Sequence, residues 1–310
     1  MTLQQLEYIL ALDTHRHFVN AAESCFVTQP TLTLQIKKLE TEMGLQIFDR
    51  SKHPIEPTKT GLKVIESARQ ILREVNGLKS FINKEKDDLS GTFRIGVIPT
   101  VAPYLMPRFL KQFIDANPKI HLVIREIESE QIIVDLKNDL LDIGILATPL
   151  DENSLREIPL YNEPFLIYSS EEHPLFTKQH IQPSDLPEKG LWLLNQGHCL
   201  RNQVLSVCRQ KKNSSNNNLS YESGSIETLK NLVKNNMGYT LVPELSVIDT
   251  LNTDAKIKRF DKPEPSREIS MVVHQSFNKE AILEMIKESI LQNIPSQFSK
   301  AKTYNRIKWR

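Results

Sequence analysis

The chain has 310 residues, with 39 Lys+Arg against 38 Asp+Glu and a formal charge of +1. A composition of 39% hydrophobic and 25% charged residues excludes a disordered, collagen-like or fibrous chain; the near-neutral balance excludes a strongly basic nucleic-acid coat or an acidic tail protein. At roughly 150 residues per domain the length predicts about two domains, and three cysteines, Cys25, Cys199 and Cys208, are too few for a secreted disulfide scaffold.

Residues 1–57 predict short helices with tight turns. Leu3, Leu6, Ile9, Leu10 and Leu12 recur at helical spacing. Residues 18–24 form a short helix with a small-residue face. Pro30 suits the first turn of a helix over 31–43, which buries Leu32, Ile36 and Leu39 and stops at Gly44. A short hairpin-like wing surrounds Arg50-Ser51-Lys52-His53-Pro54. Residues 58–88 read as one long helix capped by Thr58. Its stripe of Ile65, Ala68, Leu72, Val75 and Ile82, interrupted at Lys79, needs a partner. The natural partner is the same helix of a second subunit; the alternative is the chain's own domain.

From Ser90-Gly91 the pattern changes to alternating strands and helices. Strands are expected at 92–98, 121–127, 142–147, 165–169, 191–195, 239–242 and 269–274. Helices are expected at 104–116, 129–140, 226–236 and from about Lys279. Units of this kind predict a parallel sheet with crossover helices, and some 210 residues suffice for two small lobes around a cleft. The run 213–218, rich in Asn and Ser, is expected to be a surface loop. The N-terminus lacks an early basic residue and carries Glu7 in its apolar stretch, which makes a poor signal peptide. No apolar run reaches the ~18 residues of a membrane span. A cytoplasmic, reducing compartment is expected, where a transient disulfide would be a signal.

The first 57 residues have the layout of a helix-turn-helix. Gln29, Thr31 and Thr33 open the second helix, with Gln35, Lys37 and Lys38 along its polar side. Short polar groups there suit base edges in the major groove, and Arg50, Lys52 and His53 of the wing suit backbone phosphates. Charge count alone does not argue for DNA: residues 1–65 hold seven basic and seven acidic side chains, and 27–63 hold six against four. The case rests on local placement, and a small helical protein-interaction domain remains open.

Leu6-Glu7-Tyr8, Phe18-Val19-Asn20-Ala21-Ala22-Glu23, Thr28-Gln29-Pro30-Thr31-Leu32-Thr33, Ile36-Lys37-Lys38-Leu39-Glu40, Gly44-Leu45 and Phe48-Asp49-Arg50 together resemble the DNA-binding domain of LysR-type transcriptional regulators. The resemblance implies a mixed fold in which a winged helix-turn-helix (1–57) and a dimerising linker helix (58–89) precede a two-lobed α/β effector domain (90–300), like that of periplasmic binding proteins, and a C-terminal tail (301–310). It also implies homodimers and homotetramers on promoter DNA, contact with RNA polymerase and no enzymatic turnover. In agreement with the last point, no G-x-S-x-G or H-E-x-x-H stands in the chain.

The sharpest local feature of the second part is Gly197-His198-Cys199-Leu200-Arg201-Asn202-Gln203 with Cys208 nine residues beyond Cys199. A histidine and an arginine beside a cysteine favour its thiolate, and a helix starting near Cys199 would add to this. If the intervening segment is helical, nine steps put the two Cα atoms about 13 Å apart, whereas a disulfide needs about 4.4–6.8 Å. Bonding would require refolding, which is the behaviour of a switch. The competing reading is two small buried hydrophobes. The spacing does not suit zinc, and no cofactor or metal is expected. Cys25 is expected to pack within the helix-turn-helix.

Residues 99–105, Glu163-Pro164, 197–201, Gln203, Cys208 and the late Lys262-Pro263-Glu264-Pro265 are similar to peroxide-sensing members of the LysR family. That similarity implies that hydrogen peroxide oxidises Cys199 to a sulfenic acid, that Cys208 resolves it as a disulfide, and that Thr100, His198, Arg201 and Ser129 surround the peroxide. Three departures stand out: Asn202 where an acidic residue is common, Ser129 where a threonine is often found, and Ser266 before Arg267 where some relatives have a second basic residue. Two rivals are a LysR-type regulator with a small organic effector and a thiol peroxidase fused to a DNA-binding domain.

Overall fold

The computed structural model describes residues 1–84, 90–187, 189–208, 221–299 and 305–308. The chain separates into two compact units, Met1–Asp88 and Leu89–Arg310.

In the first unit, α1 (Leu3–His15) opens with a reciprocal cap: Gln5 N donates to Thr2 Oγ1, and Thr2 N donates to Gln5 Oε1. Next come α2 (Phe18–Ser24) and α3 (Gln29–Met43). α3 starts two residues earlier than the sequence pattern predicts, because Thr28 takes the cap and accepts from Thr31 N, with Pro30 in the first turn. Gly44 ends it in the left-handed conformation at φ 66°. Leu6, Ile9, Leu12, Ala21, Ala22, Leu32, Ile36 and Leu39 make the core. The wing is β1 (Phe48–Asp49) antiparallel to β2 (Glu56–Pro57).

α4 (Lys59–Lys84) begins on the Thr58 cap, whose Oγ1 accepts from Gly61 N at 2.9 Å. Gly61 must be glycine: a Cβ there would lie 1.9 Å from the Ile47 carbonyl oxygen. The apolar stripe expected to face a second subunit is partly used at home. Ile65 and Ala68 are buried, and Leu72 packs on the unit's own core. Among the described side chains of the helix, Leu62, Ile71 and Leu78, off that stripe, are the large exposed apolar residues. The side chains of Lys79 and Ile82 lie outside the described residues.

The second unit comprises β3 (Gly91–Val97), α5 (Ala102–Ala116), β4 (Ile120–Glu126), α6 (Ser129–Lys137), β5 (Ile143–Thr148), β6 (Leu155–Ser169), α7 (Cys199–Val207), α8 (Ile226–Lys234), β7 (Tyr239–Pro243), β8 (Ile257–Lys258), β9 (Pro265–His274), α9 (Glu280–Asn293), α10 (Ser296–Ser299) and β10 (Asn305–Arg306). The strands run in the order β4-β3-β5-β9-β6-β7. The sheet is only half parallel, contrary to the expectation from the β/α alternation. β3 pairs in parallel with β4 and β5, but β9 runs antiparallel to both β5 and β6, and β7 antiparallel to β6. β6 is long enough to serve both lobes, and β9, whose apolar residues lie in the first core, returns antiparallel beside it. Leu155, Leu160 and Tyr161 of β6 lie in the first hydrophobic core, whereas Phe165–Tyr168 lie in the second.

The expected strand at 191–195 makes only isolated bridges, Leu191 to Tyr239 and Leu194 to Ser223. The 213–218 run lies outside the described residues. Of the expected tail, residues 305–308 are described, and they are not loose. β10 pairs in parallel with Pro265–Ser266, Ile307 N donates to Ser266 O at 2.8 Å, and Gln203 Nε2 on α7 donates to Ile307 O at 3.1 Å. No described helix is long and apolar enough to cross a membrane.

Candidate functional site

Cys199 is the first residue of α7, with His198 at the cap, and Cys208 closes the same helix. The two thiols are free and buried, and they belong to different cores. Cys199 packs in the first, with β3, β5 and α5, whereas Cys208 packs in the second, together with Leu200, Val204 and Val207. α7 therefore leaves its first side chain in one lobe and its remaining apolar face in the other. Nine helical steps separate the sulfur-bearing residues by about 13 Å, beyond the reach of a disulfide.

The cation beside Cys199 is Arg267, which is fully buried at 0% exposure. It comes from β9, directly across the ladder from Glu163 of β6. Arg267 Nε donates to Glu163 Oε2 at 2.9 Å, and Nη2 stands 2.8 Å from the same oxygen. The other guanidinium contacts are to Thr100: Nη1 donates to Oγ1 at 2.9 Å and Nη2 to the carbonyl oxygen at 3.0 Å. Glu163 Oε1 in turn accepts from Leu245 N at 2.9 Å. With Oγ1 occupied as an acceptor, the Thr100 hydroxyl keeps its proton to donate. Ser129 Oγ is buried without a hydrogen bond of ordinary length, yet lies near enough to the thiol to favour the thiolate. Thr100 just precedes α5, Ser129 opens α6 and Cys199 opens α7. Three helix N-termini thus bring partial positive charge to one place.

Burial is nonetheless the largest influence on Cys199. It pushes the thiol above its ordinary value, and Arg267, Ser129 and the Leu200 and Cys199 backbone N–H groups only partly oppose it. At neutral pH the resting sulfur is a thiol, and the site is arranged to stabilise the anion once water or a small polar molecule enters. Cys208 is pushed up to about 12 by burial, against a hydrogen bond from Tyr239. Both folded thiols hold their protons more tightly than the unfolded chain does. Their contribution to stability is therefore complete below the unfolded thiol value of about 8.5 and is lost as the pH rises through the folded values. The melting temperature of the reduced protein is expected to fall between pH 8.5 and 10 more steeply than that of a C199S/C208S variant. Parallel curves for the two would refute this.

His198 is buried and its pKa is lowered by burial, against the raising influence of Glu128, whose Oε1 stands 4.0 Å from Nε2. It is a neutral imidazole. Glu128 also fills the space a side chain would need at Gly197, where a Cβ would lie 2.2 Å from Oε2, and Gly197 takes φ 102°. Arg201 is half-buried and turns to the other side of α7, where Nη1 donates to Leu194 O at 2.7 Å and the side chain lines a small, half-open pocket with Trp192 and Leu200.

Thr100, Ser129 and Cys199 come together around Arg267, and His198 borders them; Arg201 does not join them. Arg267, Glu163 and Glu128 are the residues not expected at this site. The charged pair Arg267-Glu268 next to the largely apolar run 269–273 was the available signal, because a charge on a buried strand requires a buried partner.

On the first unit, Gln29, Thr31, Lys37 and Lys52 are exposed. Thr33 is half-buried and donates from Oγ1 to Gln29 O at 2.8 Å, and Gln35 accepts from Gln5 Nε2 at 3.3 Å. Arg50 is held by the fold: it pairs with the buried carboxylate of Glu40 at 2.7 Å and lies 5.8 Å from the centre of the Phe18 ring. Glu40 also accepts from Ile47 N and Phe48 N, which ties α3 to the wing. Cys25 packs against the helical core.

A model of the lysR-family bacterial regulatory helix-turn-helix protein matches residues 3–62, and a model of the LysR substrate binding domain matches residues 86–290. The hydrogen peroxide-inducible genes activator of Dickeya chrysanthemi and the DNA-binding transcriptional dual regulator OxyR of Escherichia coli K12 are each 35% identical over 301 residues, which cover 97% of this chain and 98% of theirs. A full-length OxyR variant from Pseudomonas aeruginosa superposes with a TM-score of 0.79 at 32% identity, over 95% of this chain and 99% of its own. These matches cover the helix-turn-helix, α4 and both lobes, and the chain belongs to the LysR family of bacterial transcriptional regulators.

Proposed function

We propose that the protein is a hydrogen-peroxide-responsive activator that reads promoter DNA through α3 and the wing and senses oxidant at Cys199. The observation that carries this reading is the placement of two free thiols at opposite ends of one helix, the first inserted among Arg267, Thr100 and Ser129. The Cys199 thiolate attacks one oxygen of peroxide, the O–O bond breaks, and hydroxide leaves and is protonated to water. The product is Cys199 sulfenic acid. The Cys208 thiolate then attacks that sulfur, the S–O bond breaks, and a second water leaves. Peroxide is reduced to two waters and the two thiols are oxidised to one disulfide. The second step needs α7 unwound, so oxidation selects a different conformation of the lobe. A thiol reductant reverses it in the cytoplasm.

In this reading, residues 1–57 bind DNA, 58–89 join two chains, and 90–300 sense. Pairs of dimers sit on the promoter, and the change in the sensor alters their spacing and their contact with RNA polymerase. Leu62, Ile71 and Leu78 support the pairing, since they are large apolar side chains that remain exposed on α4. Thr100 and Ser129 offer donors to a peroxide oxygen. His198 stands at the N-terminal cap position of α7 with its ring against Glu128, and Arg201 fastens the helix to the Leu194 segment until it unwinds.

The test is to treat reduced protein with one equivalent of peroxide and map the peptides. A 199–208 crosslink is expected, and Cys199→Ser is expected to lose it while still binding the same DNA. A free Cys199 after treatment, or a Cys199→Ser variant that still responds to peroxide on DNA, would overturn the assignment.

A further inference from the structure

Leu34 stands on α3 among residues placed for DNA, yet its side chain is apolar and 64% exposed. At about 100° per residue it lies some 200° from both Leu32 and Ile36, the residues that anchor α3 in the core. It therefore crowns the ridge farthest from the domain. Thr31, Lys37 and Lys38 lie within about 60° of it on the same wheel. Phe26, in the turn before α3, is 96% exposed. The outward face of α3 thus carries one large apolar group, Leu34, inside a rim of hydroxyl and ammonium groups, the pattern of an interaction surface.

The flanking lysines suit a polyanion, and the apolar centre narrows what that polyanion presents. In the major groove every base edge offers hydrogen-bond donors or acceptors, and the thymine 5-methyl group is the one apolar feature. Leucine has nothing to offer a donor or acceptor, whereas a methyl group covered by it leaves water. Resting on the DNA-binding reading above, we infer that Leu34 is a specificity-determining residue that reads a thymine methyl in each half-site. Lys37 and Lys38 hold the helix to the phosphates on either side.

The experiment uses the full-length chain and a duplex enriched from a random library by the wild-type protein. Each thymine of the enriched site is replaced in turn by deoxyuridine, which removes only the methyl. Burying one methyl(ene) is worth ~0.8 kcal/mol, a factor of about 4 in affinity. Wild type is expected to lose about three- to fivefold at one thymine per half-site, and Leu34→Ala is expected to bind the thymine and deoxyuridine duplexes equally. A change of fold in Leu34→Ala would alter affinity for both duplexes but would not abolish their difference selectively. Wild-type binding that ignores every methyl, or a Leu34→Ala variant that keeps the wild-type methyl sensitivity, overturns the inference while leaving DNA binding in place. Failure to enrich any duplex overturns the DNA-binding reading and this inference with it.

Discussion

Replacing Arg267 with methionine is expected to slow peroxide-driven formation of the 199–208 disulfide by at least about tenfold, since an adjacent cation commonly lowers an acid's pKa by one to three units. Among the described residues, the guanidinium is the charged group that lowers the Cys199 pKa against burial, and its position is set by Glu163 and Thr100. The same change leaves the Glu163 carboxylate buried without its partner, a loss of about 3–5 kcal/mol. The two effects separate in the double variant E163Q/R267M. Glutamine keeps the carbonyl that accepts from Leu245 N but carries no charge, so most of the stability returns, while the slow reaction with peroxide persists. Thermal melting reads the first and timed alkylation of Cys199 reads the second. A double variant that reacts at the wild-type rate would show that Arg267 serves the fold alone.

Replacing Cys208 with serine is expected to abolish the disulfide completely while leaving Cys199 reactive. Oxidation then stops at the sulfenic acid, which a cyclic 1,3-dione traps, and excess peroxide carries it on to the sulfinic acid. The helical content of α7 is retained, because nothing pulls its two ends together, and the oxidised variant fails to adopt the conformation of the disulfide form. Intact mass and peptide mapping give the answer directly. A disulfide between Cys199 and Cys25 in this variant, formed as fast as the crosslink in wild type, would show that Cys208 is not needed as the second thiol.

Local signals of the helix-turn-helix were legible in the chain because they act over a few residues. Pro30, the Leu32/Ile36/Leu39 ridge and Gly44 place α3 to within two residues at its start. The spacing of the two cysteines was legible as well, but a helix between them stood only as a condition, which α7 meets with Cys199 as its first residue and Cys208 at its C-terminal cap. The long strand β6 was not legible: only 165–169 stood out, because Pro159 and Pro164 break the strand pattern of the residues before it. In the sheet those prolines are accommodated by pairing with β9, with a register shift between Pro159 and Tyr161.

The sequence by itself determined the order of parts, the family and the spacing of Cys199 and Cys208, since periodicity, capping residues and motif spacing are properties of neighbouring residues. Only the tertiary structure decided which charge faces Cys199. Arg201, two residues from the thiol, turns to Leu194, while Arg267, 68 residues away, lies beside it, because a buried guanidinium must go where Glu163 and Thr100 can satisfy it. It also decided that Cys199 is held as a thiol: the depth of burial depends on how two lobes close over one residue, and no local pattern of side chains specifies that.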